Sequence, residues 1–136
     1  MKTHAFVIAL FTLAVAFAPP FSKIADANTG TYGARLISPV AGQVLVPGKQ
    51  VKVTWNATFP PVDTEWCEME IWLSLDGGKS FAYQITAQLD PRINYFYWTV
   101  PNTPSSAAVL DIRFGCEGFY PESYSPQPAS TFVTAK

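Results

Sequence analysis

The segment 67–75 reads CEMEIWLSL, in which apolar residues at the odd positions alternate with mostly polar residues at the even positions. A period of two predicts a β-strand that buries one face. The segment 110–116, LDIRFGC, repeats this pattern with its apolar residues at the even positions. Cys67 and Cys116 both fall on the apolar side, so both thiols are predicted to face the core.

Outward from these two segments, apolar or alternating runs bounded by Pro, Gly, Asn and Asp recur every 8 to 15 residues, and none keeps a helical period for three turns. This pattern predicts an all-β fold. Seven strands in about 100 residues fit an immunoglobulin-like or fibronectin III-like β-sandwich. The predicted strands are 35–38 with 43–46 (one split strand), 50–56, 68–75, 81–87, 95–100, 109–115 and 129–134.

In such a sandwich the third and sixth strands are antiparallel neighbours within one sheet. The predicted partners are Cys67 with Cys116, Met69 with Phe114, Ile71 with Ile112, and Glu70 with Arg113. This register predicts an ion pair between Glu70 and Arg113 on the outer face, where Asp111 also falls. It further predicts a Cys67–Cys116 disulfide inside a sheet, because two cysteines in an oxidising compartment pair by default.

The N-terminal segment predicts export. The apolar run Ala5–Ala18 follows Lys2, and Ala25-Asp26-Ala27 provides small residues at the −3 and −1 positions of a cleavage site,. The predicted organisation is a cleaved signal peptide at 1–27, a flexible N-terminal tail at 28–33 and one domain at 34–136. We expect a secreted protein, extracellular or periplasmic, with no membrane insertion of the mature chain.

The composition after residue 27 argues against several functions. Seven Lys or Arg and nine Asp or Glu residues give a net charge of −2, which does not suit nucleic acid,. The only histidine, His4, lies in the predicted signal peptide, so we expect no cofactor and no metal,. Catalysis would need carboxylates such as Glu68 and Glu70, and no cleft is predicted beside them. We therefore expect that the protein is not an enzyme.

One turn and one group of loops contain candidate site residues. The segment 74–81, SLDGGKSF, fits the Asp-box pattern and predicts a structural turn formed by Asp76, Gly77, Gly78 and Phe81,. Loops 57–66 and 117–128 are predicted at one sandwich end, where the candidate binding residues are Phe59, Trp66, Phe119, Tyr120 and Tyr124. These rings either bind a partner or cap the core. Trp72, Tyr95 and Tyr97 are predicted to face outward, and Trp72 suggests a second candidate patch.

Three blocks of sequence carry a resemblance to a known family. Ile37–Gly48 running into Val51–Trp55 fits SP-x-x-G-x-x-x-x-x-G…V-x-W, and Glu70–Gly78 and Tyr97–Ser105 follow in the family's order, the last fitting W-x-VPN-x-x-S. The chain resembles extracellular immunoglobulin-like modules of bacterial and archaeal surface proteins and of Ser/Thr-rich fungal cell-wall proteins linked to β-glucan assembly. The resemblance implies a noncatalytic surface or adhesion module.

The expected function is a secreted binding or surface-assembly module. It would recognise a cell-surface protein or glycan through the loops at one sandwich end. Two alternatives remain open: a carbohydrate-binding module that uses the same aromatic residues, and an immunoglobulin-like protease inhibitor. The sequence does not predict the oligomeric state.

Overall fold

The computed structural model describes residues 30–136. The predicted signal peptide and the first two residues of the predicted tail lie outside these described residues. The described part contains nine strands and two short 3-10 helices, Thr64–Trp66 and Pro128–Ser130. The strands are β1 Gly33–Ser38, β2 Val44–Leu45, β3 Gln50–Thr58, β4 Cys67–Ser74, β5 Tyr83–Gln84, β6 Tyr95–Thr99, β7 Ser105–Cys116, β8 Tyr120–Ser123 and β9 Phe132–Thr134.

The strands form two sheets in a sandwich-like arrangement. The small sheet has the order β1-β3-β6, and the large sheet has the order β2-β9-β7-β4-β5, with β8 also paired to β7. Trp55 from the small sheet and Ile71, Ile112 and Phe114 from the large sheet belong to one buried apolar cluster. The all-β prediction is confirmed, but the described part has nine strands rather than seven. β8 was missed because it lies in a segment predicted to be a loop, and the two parts of the predicted split strand are separate strands, β1 and β2, in different sheets.

The predicted register of β4 and β7 is confirmed. The pairs are Cys67 with Cys116, Met69 with Phe114, Ile71 with Ile112, and Glu70 with Arg113. Met69 donates its backbone N–H away from β7, to the Leu89 carbonyl at 2.9 Å. Pairs of this parity are therefore not hydrogen-bonded to each other, and their Cα atoms approach to about 4.5 Å. This approach explains why Cys67 and Cys116, with Cα atoms 4.0 Å apart, form the predicted disulfide within the sheet.

Several predicted strands are shorter in the structure. The strand predicted at 81–87 is reduced to Tyr83–Gln84. Beyond it, the Ile71 N–H donates to the Thr86 hydroxyl at 3.0 Å, so a side chain replaces the backbone acceptor that a longer strand would supply. The last strand begins at Phe132 because Pro128–Ser130 form a 3-10 helix.

The segment before β1 is packed against the large sheet. The Tyr32 hydroxyl donates to the Ile112 carbonyl at 2.9 Å, and its ring stacks on Phe114 with centroids 5.0 Å apart. Burial, and secondarily the negative charge of Asp111, raises the pKa of Tyr32. Tyr32, assigned to a flexible tail by the sequence, thus contacts the core, and Gly33 begins β1.

The outer edge of β1 is closed by two side chains. Gln127 accepts the Leu36 N–H at 2.8 Å and donates its Nε2 to the Ala34 carbonyl at 2.9 Å. The Ser125 hydroxyl also accepts from the Ala34 N–H at 3.1 Å. Both residues belong to the segment between β8 and β9, and the Ser125 carbonyl accepts from Ile112 of β7. This segment therefore links the two sheets.

The turn between β4 and β5 is organised by one carboxylate. The predicted turn residues are Asp76, Gly77, Gly78 and Phe81. Asp76 accepts from the Ser74 hydroxyl at 2.6 Å and from the Ser80 N–H at 2.9 Å, and both glycines have positive φ, +77° and +87°. The hydrogen bonds from Ser74 and then Ser80 hold the pKa of Asp76 well below its ordinary value.

Candidate binding groove

The two predicted loops meet at the disulfide end of the sandwich. Phe59 from the loop after β3 lies 5.0 Å from the Phe114 ring, and Tyr120 at the start of β8 lies 5.7 Å from the same ring. The two loops therefore contact one core side chain. The cross-link joins Cys67, where the first loop enters β4, to Cys116, where the second loop leaves β7.

The five predicted binding residues divide into two groups. Phe59 and Tyr120 are half-buried and cap the core, which was the alternative role considered for all five rings. Trp66, Phe119 and Tyr124 keep 68%, 75% and 60% of their surface exposed. Their exposure leaves these three rings available to a partner.

An open groove of about 570 Å³ runs beside this end, on the outer face of the large sheet. Its floor is formed by β4 and β7, and β8 forms one wall. Gly115 allows β8 to approach so closely that a Cβ atom at this position would lie 3.3 Å from the Glu122 Cα. Of the five predicted binding residues, only Tyr120 lines the groove.

Acidic residues outnumber basic ones in the lining of the groove. The four acidic residues are Glu68, Glu70, Glu117 and Glu122. The expectation that no cleft lies beside Glu68 and Glu70 is wrong, because β8, on the other side of β7, forms a wall across from them. Alternation along β4 indicated the outward direction of both side chains, but β8, which forms the wall, was not predicted.

Arg113 is the cation in this lining, and its position is fixed by several neighbours. Its Nε donates to the Asp111 carboxylate at 2.7 Å, and its guanidinium carbon lies 4.4 Å from the Trp72 ring centroid and 4.6 Å from that of Tyr124. The Glu122 carboxylate lies 3.6 Å from Arg113 Nη1. Arg113 therefore fastens the segment after β8 to the outer face of β4.

The predicted ion pair between Glu70 and Arg113 is not among the ion pairs of residues 30–136, although the two residues are register partners. Glu70 instead accepts a hydrogen bond from the Trp72 indole N–H at 3.0 Å. Asp111 lies closer along the same strand face and outcompetes Glu70 for Arg113. The excess negative charge of the groove consequently remains on Glu68, Glu70 and Glu117.

Asp111 lies in a different environment from the one its sequence position indicates. Alternation places it on an outer face, yet only 1% of its surface is exposed. The segment between β8 and β9 runs beside β7, with Pro126 paired to Asp111, and Asp111 accepts the Ser125 N–H at 2.8 Å. A buried carboxylate is stable only when it is paired and hydrogen-bonded, and Arg113 and Ser125 meet both requirements.

The small sheet carries a separate aromatic surface. Tyr95 and Tyr97 of β6 are exposed by 44% and 58%, as their parity predicts, and their rings pack edge to face at 6.0 Å. Lys52 of β3 lies over Tyr95, with Nζ 4.5 Å from the ring centroid. This surface lies on the opposite side of the sandwich from the groove.

Among residues 30–136, no group of three or more His, Cys, Asp or Glu side chains is placed to hold a metal ion. That part of the chain also contains no helix with the length and apolar character needed to cross a membrane. No model of a known protein family matches the sequence, and no curated protein is significantly similar to it.

Proposed function

We propose that this chain is a secreted, noncatalytic, immunoglobulin-like binding module that recognises a basic segment of a cell-surface protein. The observation that carries the proposal is the groove beside the disulfide, where four glutamates face a single arginine that is already paired. Such a surface attracts Lys and Arg side chains and repels acidic ones. The flanking rings of Trp72 and Tyr120 add apolar contact for the stems of these side chains.

The immunoglobulin-like assignment is supported by the order of the strands. A three-stranded sheet faces a larger one, and β4 and β7 are adjacent in the larger sheet. The three sequence blocks that resemble extracellular surface modules agree with this order. Secretion is supported by the predicted signal peptide and by the disulfide, which persists in oxidising compartments.

Recognition without catalysis is supported by the rigidity of the groove. The disulfide, the buried Asp111 and the stacked Arg113 fix its floor and wall before any partner arrives. Preorganisation reduces the conformational entropy lost on binding. The absence of histidine after residue 4 removes the commonest general base, so the carboxylates are assigned to electrostatic contact,.

Glycan recognition is the second candidate, favoured by the exposed rings of Trp66, Phe119 and Tyr124. Aromatic faces stack on sugar rings, and carboxylates accept hydrogen bonds from hydroxyl groups. These three rings do not line the groove. The two candidates therefore predict different binding surfaces on the same protein.

A titration of the ¹⁵N-labelled protein distinguishes the candidates. The probes are a peptide of alternating Lys and Ser, its Glu and Ser counterpart, and neutral hexasaccharides of chitin and β-1,3-glucan. We expect only the Lys peptide to shift the amide signals of Gly115, Glu117 and Gly118. A glycan that shifts the signals of Trp66 and Phe119, with no response to the Lys peptide, would establish the second candidate instead.

Charge-neutral variants test the groove directly. Removing one exposed carboxylate removes about 0.2–1 kcal/mol of attraction, so Glu68→Gln and Glu117→Gln should each weaken Lys-peptide binding by up to about fivefold. Asp90→Asn is the matched control, because Asp90 lies outside the groove and asparagine preserves its turn hydrogen bond to the Arg92 N–H. Equal weakening by all three variants would refute groove binding.

A further inference from the structure

The free edge of β6 has a regular row of backbone groups. The Trp55 N–H donates to the Asn94 carbonyl and the Val100 N–H donates to the Lys49 carbonyl, each at 3.0 Å. These bonds show which residues of β6 are hydrogen-bonded to β3. Because hydrogen-bonded residues alternate along an antiparallel strand, the backbone groups of Phe96 and Trp98 bond to β3,. Tyr95, Tyr97 and Thr99 consequently direct their N–H and C=O groups away from β3, towards the side where the small sheet ends.

The two edges of the small sheet differ in their protection. On β1, Gln127 and Ser125 bond the outward groups, and a register irregularity between Leu36 and Ser38 interrupts the strand. On β6 no other group in residues 30–136 bonds this edge, and the strand contains neither a charged residue nor a proline. Charges, prolines, irregularities and covering groups are the usual means of preventing further strand pairing. β6 has none of them.

We propose that β6 pairs with β6 of a second copy of this chain, in antiparallel orientation about a two-fold axis at Tyr97. Tyr97 then lies opposite Tyr97 of the second copy, and Tyr95 lies opposite Thr99. Because these three residues share one parity, every outward N–H of one strand meets an outward carbonyl of the other. The two small sheets become one continuous sheet, joined by an isologous interface.

The charges near this edge permit the pairing. Lys52 lies opposite Tyr97 on β3, so the backbones of two copies of Lys52 are separated by three strand spacings, about 14 Å,. Each Nζ lies over Tyr95, and the two copies of Tyr95 are four residues apart along the paired strands, a similar distance,. This distance exceeds the Debye length of about 8 Å at physiological ionic strength. The exposed Tyr97 rings meet near the axis, where cross-strand aromatic pairs stabilise a sheet.

This pairing is independent of the proposed ligand. The groove lies on the large sheet and stays open in the pair, so each assembly presents two grooves. An interface formed mainly by one strand from each copy is smaller than the 1,200 Å² or so typical of stable complexes. We therefore expect a dimer that forms reversibly between about 10 µM and 1 mM.

Sedimentation velocity of the purified protein across that concentration range tests the proposal. The wild type should shift from monomer to dimer as concentration rises. Tyr97→Lys places two like charges directly opposite each other, about 5.5 Å apart between Cα atoms, and should raise the dissociation constant at least about tenfold. Tyr83→Lys makes the same change at an exposed tyrosine of β5 and should leave the constant unchanged. A monomer at 1 mM, or equal effects of both variants, would overturn the proposal.

Cysteine cross-linking tests the register and does not depend on affinity. Under mild oxidation Tyr97→Cys should form a covalent dimer, because residue 97 faces itself across the axis. Tyr95→Cys should not, because the two copies of residue 95 lie four residues apart along the paired strands, about 13 Å. Equal cross-linking of both variants would contradict this register, and cross-linking of Tyr95→Cys alone would place the axis elsewhere.

Discussion

Replacing Asp111 with alanine should cause a large loss of stability, although its sequence position indicates a surface residue. The carboxylate is buried, accepts the Ser125 N–H and pairs with Arg113. Removing one partner of a buried ion pair costs about 3–5 kcal/mol. The Arg113 side chain keeps 14% exposure and has Glu122 nearby, so we expect the lower end, about 3 kcal/mol,. That loss is a large share of the 5–15 kcal/mol typical of a domain.

Asp111→Asn is the matched control, because the asparagine oxygen retains the bond from the Ser125 N–H, whereas its amide nitrogen replaces the charged oxygen that accepts from Arg113 Nε,. We expect it to lower the free energy of unfolding by about 1–2 kcal/mol. Urea unfolding followed by tryptophan fluorescence gives both values, and hydrogen exchange at the Ser125 amide reports the local bond. The reasoning is refuted if Asp111→Ala costs less than about 1 kcal/mol, or if exchange at Ser125 is equally fast in both variants.

Three further changes have defined outcomes. The disulfide spans 49 residues. Its reduction, or the replacement of both Cys67 and Cys116 by alanine, should lower the free energy of unfolding measured in urea by about 4 kcal/mol. Equal stability with and without reductant would contradict this expectation. The pKa of Asp76 is lower in the folded than in the unfolded protein, so its stabilisation is complete above pH 4 or so and disappears as the pH falls through the folded value,. Thermal unfolding between pH 2 and 6 should therefore show a smaller acid-induced loss in Asp76→Asn, and identical profiles would count against this role. Gly115→Ala should force β8 away from β7 at Glu122 and lower the free energy of unfolding by about 1–3 kcal/mol, measured by thermal unfolding,. An unchanged unfolding midpoint would show that β8 moves aside without loss of stability.

Alternation of apolar and polar residues was sufficient to predict the layered part of the fold. A strand with one buried face has a fixed register, because a slip of one residue would expose the whole apolar set. The positions of Cys67 and Cys116 then fixed which residues of β4 and β7 are opposite. The turn at Asp76 was equally accessible, since two consecutive glycines beside an aspartate mark a tight connection.

The candidate groove was not predictable by the same rule, because alternation distinguishes only the two faces of a sheet. It cannot show that residues 120–127 pair along the edge of β7, where they bury Asp111 and form the wall at β8. The competition between Asp111 and Glu70 for Arg113 likewise depends on local geometry. The sequence carries no local signal of this burial, because Asp111 alternates with Leu110 and Ile112 as a residue on a solvated strand face does,.

The side-chain closure of β1 determines how large an assembly can become. A sheet that is extendable at both flanks can add copies without limit and grow into a fibril. Within residues 30–136, Gln127 and Ser125 occupy one flank of the small sheet, so pairing through β6 uses the one flank left to extend. The proposed pair therefore cannot add a third copy through the small sheet, and two polar residues of a single connecting segment set this limit.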